Sequence, residues 1–171
     1  MSEPVFFWLQ DEKPYGVFSQ WAPSPFIDKD GLRWENMEQF FMAMKAKTFN
    51  DKKTYDLLRK TSSPKSCKAL GRQVSSFNES KWKKKSMMVA YVGNMMKYNQ
   101  NEDLKALLLG TGERPLYESS PRDFVWGIGL TAVDAATIPP SQYPGANCLG
   151  KTLMKVRASL RGSPESDTSN I

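Results

Sequence analysis

Histidine is missing altogether from the 171 residues, and cysteine occurs only twice. The first absence excludes serine–histidine and cysteine–histidine triads, histidine general bases and most zinc or non-haem iron sites. Any chemistry falls to Asp, Glu, Lys, Tyr or backbone groups. Cys67 and Cys148 lack metal-like spacing, so a reduced intracellular setting is expected and a structural disulfide is not. Neither thiol has the histidine partner on which a nucleophilic thiolate usually leans. No GxxxxGK[ST] loop, no convincing GxGxxG after a strand and no calcium loop is found, which removes nucleoside triphosphate hydrolysis and Rossmann-type redox. No apolar run approaches the roughly 20 residues of a membrane span. The opening "MSEPVFFWLQDEKPYG" has an early acid and proline and no basic n-region, so it does not read as a signal peptide. The expected setting is soluble and cytoplasmic, or nuclear in a eukaryote.

What is present suffices for a core. Hydrophobic residues make up 40% of the chain and aromatics 12%, enough for one folded domain over residues 1–161. The formal charge of +6 and pI near 9.3 favour an anionic partner. "KWKKK" at 81–85 supplies much of that excess, and a solvated helix face accounts for it equally well.

Caps and periodicity set the coarse organisation. Short aromatic runs broken by Pro14, Gly16, Pro23, Pro25 and Gly31 predict short strands and turns over 1–34. Asn36 caps a helix, with Gln39 three residues on completing a capping-box pattern. A second helix is expected over 52–60, and a third between Ser63-Pro64 and Gly71. The longest lies within 79–98, with Trp82, Val89, Val92 and Met96 as its core face. Another runs from near Asn101 to Gly110, "PLYESSPRDFVWGIGL" reads as strand and loop, and Asn147 caps a last helix. The tail 162–171 is polar and is expected to be disordered. The fold class is α+β, predominantly helical with a few short strands.

Within "ENMEQFFMAMKAKTF" (35–49), Glu38 and Lys45 stand seven residues apart, on one side of a helix and about 10 Å apart along it. That is too far for an ion pair, and an i,i+4 spacing would have served a helix salt bridge. The wheel puts both at the edge of the stripe Met37, Phe40, Phe41 and Met44, where a charged head reaches a cleft while its stem packs. Two unconnected boundary charges are the plainer reading of the spacing.

"YGVFSQWAPSPFIDKDG", "MEQFFMAMKA", "ALGRQV", Trp82, "KYNQNEDLKALLLGTGERPLYESSPRDFVWGIGL" and "GANCLGKTLMKVR" occur in an order and spacing that resemble the NADAR, or YbiA-like, family over about residues 15–157. The resemblance implies an N-glycosidase that hydrolyses a ribose–nitrogen bond. Members act on phosphoribosylamino-pyrimidine intermediates of riboflavin synthesis, and others remove ADP-ribose from guanine in nucleic acid. Glu38 and Lys45 match the family's helix motif, Asp123 and Trp126 its "D..WG" loop, Phe18 and Ser19 its N-terminal element. Trp82 matches the tryptophan of the long helix, and Asn147 with Gly150 the "N.LG" turn. Gln39 replaces a common histidine and Gln20 a common asparagine, so no proton transfer is available at position 39.

Such cleavage needs a proton on a poor nitrogen leaving group and support for a cationic sugar carbon. Either Glu38 or Asp123 could serve. For Lys45 the resemblance implies capture of the opened ribose as a Schiff base, which requires an amine that is part of the time unprotonated. Trp82 reads first as packing; Trp126, flanked by Gly127 and Gly129, suits stacking on a flat ring. Arg72 is a candidate phosphate contact. The resulting expectation is a monomeric hydrolase of N-ribosidic bonds, without cofactor, metal or membrane. Its substrate is ADP-ribosyl-guanine in nucleic acid ahead of the small phosphoribosyl intermediate. A non-catalytic module that binds ADP-ribose or nucleic acid is the reading from another class.

Overall fold

Five side-chain caps, at Asn36, Asp51, Ser63, Asn78 and Thr131, punctuate the described residues where loops give way to helices. The computed structural model describes residues 3–162. These divide into two units, one formed by 23–101 and the other by the segments before and after it. The proposed disordered tail starts at Gly162, which closes the last helix, and 163–171 lie outside the described residues.

In the 23–101 unit, a short antiparallel pair, β1 (Phe26–Ile27) and β2 (Arg33–Trp34), precedes helix α1 (Met37–Thr48). Asn36 Oδ1 accepts from the Gln39 N–H at 2.9 Å, and Gln39 Oε1 accepts from the Glu35 N–H at 2.9 Å. This is a capping box displaced by one residue toward the N-terminus. Asp51 caps α2 (Lys52–Leu58), Ser63 caps α3 (Pro64–Gly71) with proline at its first position, and Asn78 caps α4 (Glu79–Gln100). α1 lies centrally, packed on α2, α3 and α4. Phe26, Trp34, Phe40, Ala43, Leu58 and Cys67 belong to its core.

Trp82, Val89 and Met96 of the expected α4 face pack against the core, but the most deeply buried positions lie beside them. Ser86, Ala90, Gly93, Asn94 and Lys97 are buried, while Trp82, Val89, Val92 and Met96 are only partly so. The reason is the distance of approach: a Cβ on Gly93 would sit 2.6 Å from Met37 Cε and 2.7 Å from Phe40 Cδ1. Small residues let α4 close on α1, so the larger side chains fall beside the contact.

α4 also buries the whole Lys97 side chain. Burial lowers its amine from 10.5 to about 7. The unfolded lysine keeps its proton until near the ordinary value, so the folding penalty is full below pH 7 and is relieved as pH rises through that window. Stability is expected to rise by on the order of 2 kcal/mol from pH 7 to 9, at about 1.4 kcal/mol per pH unit. Urea midpoints at the two pH values measure it. Lys97→Met should flatten the slope; an unchanged slope in that variant would exclude Lys97 as its source.

The second unit pairs strand β3 (Val5–Phe7) in parallel with β4 (Leu116–Glu118), with Val5 opposite Leu116. Helices α5 (Glu102–Gly110), a single turn α6 (Ala132–Ala135) and α7 (Cys148–Gly162) complete it. α7 packs on β4 through an apolar face that includes Leu149, Leu153 and Val156. Its buried Arg157 donates to Thr111 Oγ1 at 2.7 Å and to the Arg114 carbonyl at 2.8 Å. α6 had no signal in the periodicity, being only one turn long.

Candidate functional site

α1 carries the pair around which the site is built. Glu38, in its first turn, is 4% exposed, deeper than the edge position expected from the wheel. The helix is buried on several sides, with Glu38, Gln39, Ala43 and Ala46 all enclosed, and only Met44 of the expected stripe is partly exposed.

Lys45 is half-buried and donates from Nζ to the Gly71 carbonyl at 2.7 Å. Its Nζ lies 4.2 Å from the centre of the Phe77 ring. Burial lowers the amine below the ordinary lysine value, and the Glu38 carboxylate partly opposes that shift. A carbonyl and a ring face both stabilise an ammonium, whereas desolvation favours the neutral amine. The net direction is toward a reactive amine.

Gln39 has no room for a second role. Its Nε2 donates to the carbonyls of Leu58 and Thr61 at 3.0 and 2.9 Å, which ties the end of α2 to the start of α1. Cys67 is equally committed: burial, and then the Glu38 charge, push its thiol up to about 11, so it is no nucleophile at neutral pH. Trp82 packs edge-on against Phe41 with ring centres 5.1 Å apart, and Arg72 is exposed at the end of α3.

The "D..WG" loop belongs to the other unit. Asp123 Oδ1 accepts from the Val125 and Trp126 N–H groups at 2.9 and 2.7 Å, closing a tight turn under Trp126. The carbonyls of residues 124–128 all accept from N–H groups of residues 145–149, so the loop is held at every step. Gly127 is required by space, since a Cβ there would lie 2.9 Å from the Asp123 carbonyl oxygen. Asn147 stands at the head of α7, but its side chain reaches β4 instead of capping the helix. Its Nδ2 donates to the Leu116 carbonyl at 2.9 Å, and its Oδ1 accepts from the Glu118 N–H at 3.1 Å. Gly150 admits this contact: a Cβ on it would come within 2.2 Å of the Leu116 oxygen.

Phe18 is fully buried, edge-on to Phe7, and so supports its segment from within. Ser19 Oγ accepts from the Trp21 N–H at 3.2 Å. Gln20 is 8% exposed, and its Oε1 is buried without a hydrogen-bond partner among the described residues. The reading from sequence passed over Phe77 and Lys97. Phe77 directly precedes the Asn78 cap, where an aromatic reads as a local staple, and Lys97 sits in a polar run that hides its burial.

The NADAR domain family model matches residues 6–161. An N-glycosidase of Acanthamoeba polyphaga mimivirus is 40% identical, over 90% of this chain and 94% of its own. Protein irg-1 of Caenorhabditis elegans is 36% identical, over 84% of this chain and 75% of its own. N-glycosidase YbiA of Escherichia coli is 31% identical, over 94% of this chain and 91% of its own. The NMR structure of the E. coli protein YbiA matches with a TM-score of 0.76 at 30% identity, covering 94% of this chain and 87% of that one. That match agrees with the mostly helical α+β architecture. With the family model spanning nearly all described residues and relatives aligned almost end to end, the chain belongs to the NADAR domain family.

Proposed function

We propose that this hydrolase of N-glycosyl bonds removes ADP-ribose from guanine bases of nucleic acid through a Schiff base on Lys45. The observation that carries the reading is Lys45 itself: a half-buried amine, lowered by desolvation, on the same helix as the buried Glu38 carboxylate. Desolvation raises the share of free amine over that of an exposed lysine, and the free amine is the nucleophilic form. Phosphate-rich substrates suit the 23–101 unit, which holds sixteen Lys and Arg against seven Asp and Glu. The free thiols Cys67 and Cys148 suit a reducing, cytoplasmic setting.

The steps balance as a transimination. Opening of the ribose ring leaves C1 joined to the guanine nitrogen as an iminium, and the ring oxygen takes a proton. Lys45 Nζ adds to C1 while the C1–N bond breaks and the departing guanine amine receives a proton, for which Glu38 is the nearest carboxylic acid along the helix. Water then adds to the Lys45 imine, releasing ADP-ribose and restoring the amine. Asp123 shapes the turn that presents Trp126, and it is the second carboxylate able to supply the proton or support the cationic carbon.

The test compares an oligonucleotide carrying ADP-ribosylated guanine with the phosphoribosylamino-pyrimidine intermediate. Faster turnover of the first is expected. Affinity for the oligonucleotide should also fall more steeply with salt than affinity for free ADP-ribose, because a polymer displaces more counterions. Equal salt slopes, with faster turnover of the pyrimidine, would transfer the assignment to the small substrate.

A further inference from the structure

Side chains from two segments, Lys45 and Phe49 from one and Phe77 and Lys81 from the other, form a column in the 23–101 unit with two rings between two charges. Lys45 Nζ lies 4.2 Å from the Phe77 ring centre, the Phe77 and Phe49 centres are 5.4 Å apart edge-on, and Lys81 Nζ lies 5.5 Å from the Phe49 centre. Phe49 is buried, but Phe77 remains 45% exposed. Its loop is nevertheless held: Asp51 Oδ2 accepts from the Ser75 N–H at 2.8 Å, and Ser76 adopts a φ of 54°. A non-glycine residue in the left-handed region is strained, and here it aims the ring that follows.

The column continues along α4. At about 100° per residue, Lys81, Lys84, Lys85 and Met88 fall within roughly 100° of one another on one face. All four are exposed, Met88 by 64%. Glu79, the only acid on this helix, lies about 160° from Lys81 around the axis. One face therefore presents three lysines and an apolar side chain, and leads to an exposed aromatic over Lys45.

We propose that this face is the track for the single strand flanking the modified guanine, with Phe77 stacking on a neighbouring base and Lys81, Lys84 and Lys85 holding its phosphates. The proposal rests on the nucleic-acid reading above. A groove of positive charge with interleaved aromatic faces is what sequence-tolerant single-strand binding requires, since every base offers a π-face and every nucleotide a phosphate. The occupant follows from charge complementarity: the unit's excess of nine positive charges is far more than one diphosphate substrate needs.

The experiment measures kcat/KM on two substrates, ADP-ribosyl-guanosine monophosphate and a single-stranded DNA oligonucleotide containing one ADP-ribosylated guanine with flanking nucleotides on both sides. In the triple variant Lys81→Gln, Lys84→Gln, Lys85→Gln, the oligonucleotide-to-mononucleotide ratio should fall about 10–100-fold, through KM. The salt slope for the oligonucleotide should drop by about 2, at roughly 0.7 per phosphate contact. Phe77→Ala should lower the ratio about 5–100-fold by loss of stacking, and Phe77→Trp should restore it. Lys83→Gln, which removes a charge from the other side of α4, should leave the ratio unchanged.

A wild-type ratio and slope in the triple variant would overturn the track while leaving the substrate assignment standing. An equal loss on both substrates in Phe77→Ala would assign the ring to Lys45 alone. Wild-type enzyme that cleaves neither substrate would overturn both the assignment and the track.

Discussion

Lys45→Arg is expected to reduce turnover by about 10³-fold or more, because arginine keeps the positive charge but is not a usable amine nucleophile. The fold should survive. A guanidinium can still donate to the Gly71 carbonyl and rest on the Phe77 ring, the two contacts the ammonium makes. Borohydride added during turnover should reduce the imine on the wild-type enzyme, and mass spectrometry of a digest should place the sugar-containing mass on Lys45. The arginine variant should carry none. The rate should also follow the free-amine fraction: below its pKa Lys45 is protonated and silent, so activity climbs with pH. Burial places that pKa below the ordinary lysine value, so the climb should end earlier than it would for an exposed lysine. A mass on another lysine, or no adduct under conditions that trap a control Schiff base, would return the reaction to direct attack by water.

Glu38→Gln is expected to lower the rate by about 10²–10⁴-fold, the usual value of general acid–base assistance. Glutamine matches glutamate in size and keeps hydrogen-bonding capacity, so melting should change little. A second readout separates a proton-transfer role from a packing role. The Glu38 carboxylate raises the pKa of Lys45 against the effect of burial, so its neutralisation should move the rising limb of the pH–rate profile to lower pH. Near wild-type turnover in a folded Glu38→Gln enzyme, with the profile unmoved, would remove Glu38 from the mechanism.

How much of this was legible beforehand depended on whether the deciding contacts were local. The third helix was readable to the residue, from Pro64 to Gly71 with Ser63 as cap, because its signals lie within one turn of its ends. That Glu38 and Lys45 share one helix was readable for the same reason, although the spacing alone favoured two unconnected charges. The depth of Glu38 was not, because neighbours on three other helices surround α1. Periodicity found the part of the α4 core face where Trp82, Val89 and Met96 pack but missed its centre: it rewards large apolar residues, whereas close helix contact at Gly93 favours small ones.

The sequence by itself determined the α+β class, the positions of the main helices with the Asn36 and Ser63 caps, the exclusion of histidine chemistry, and the family to which the chain belongs. These rest on composition, ordered motifs and hydrogen bonds between residues a few positions apart. Tertiary structure alone decided that Asn147 ties α7 to β4, that Gln39 is consumed by Leu58 and Thr61, and that Lys97 is enclosed. It alone joined Lys45, Phe77, Phe49 and Lys81 into one column. Burial and the contacts between separate elements arise only when those elements pack, and no window of sequence contains both partners.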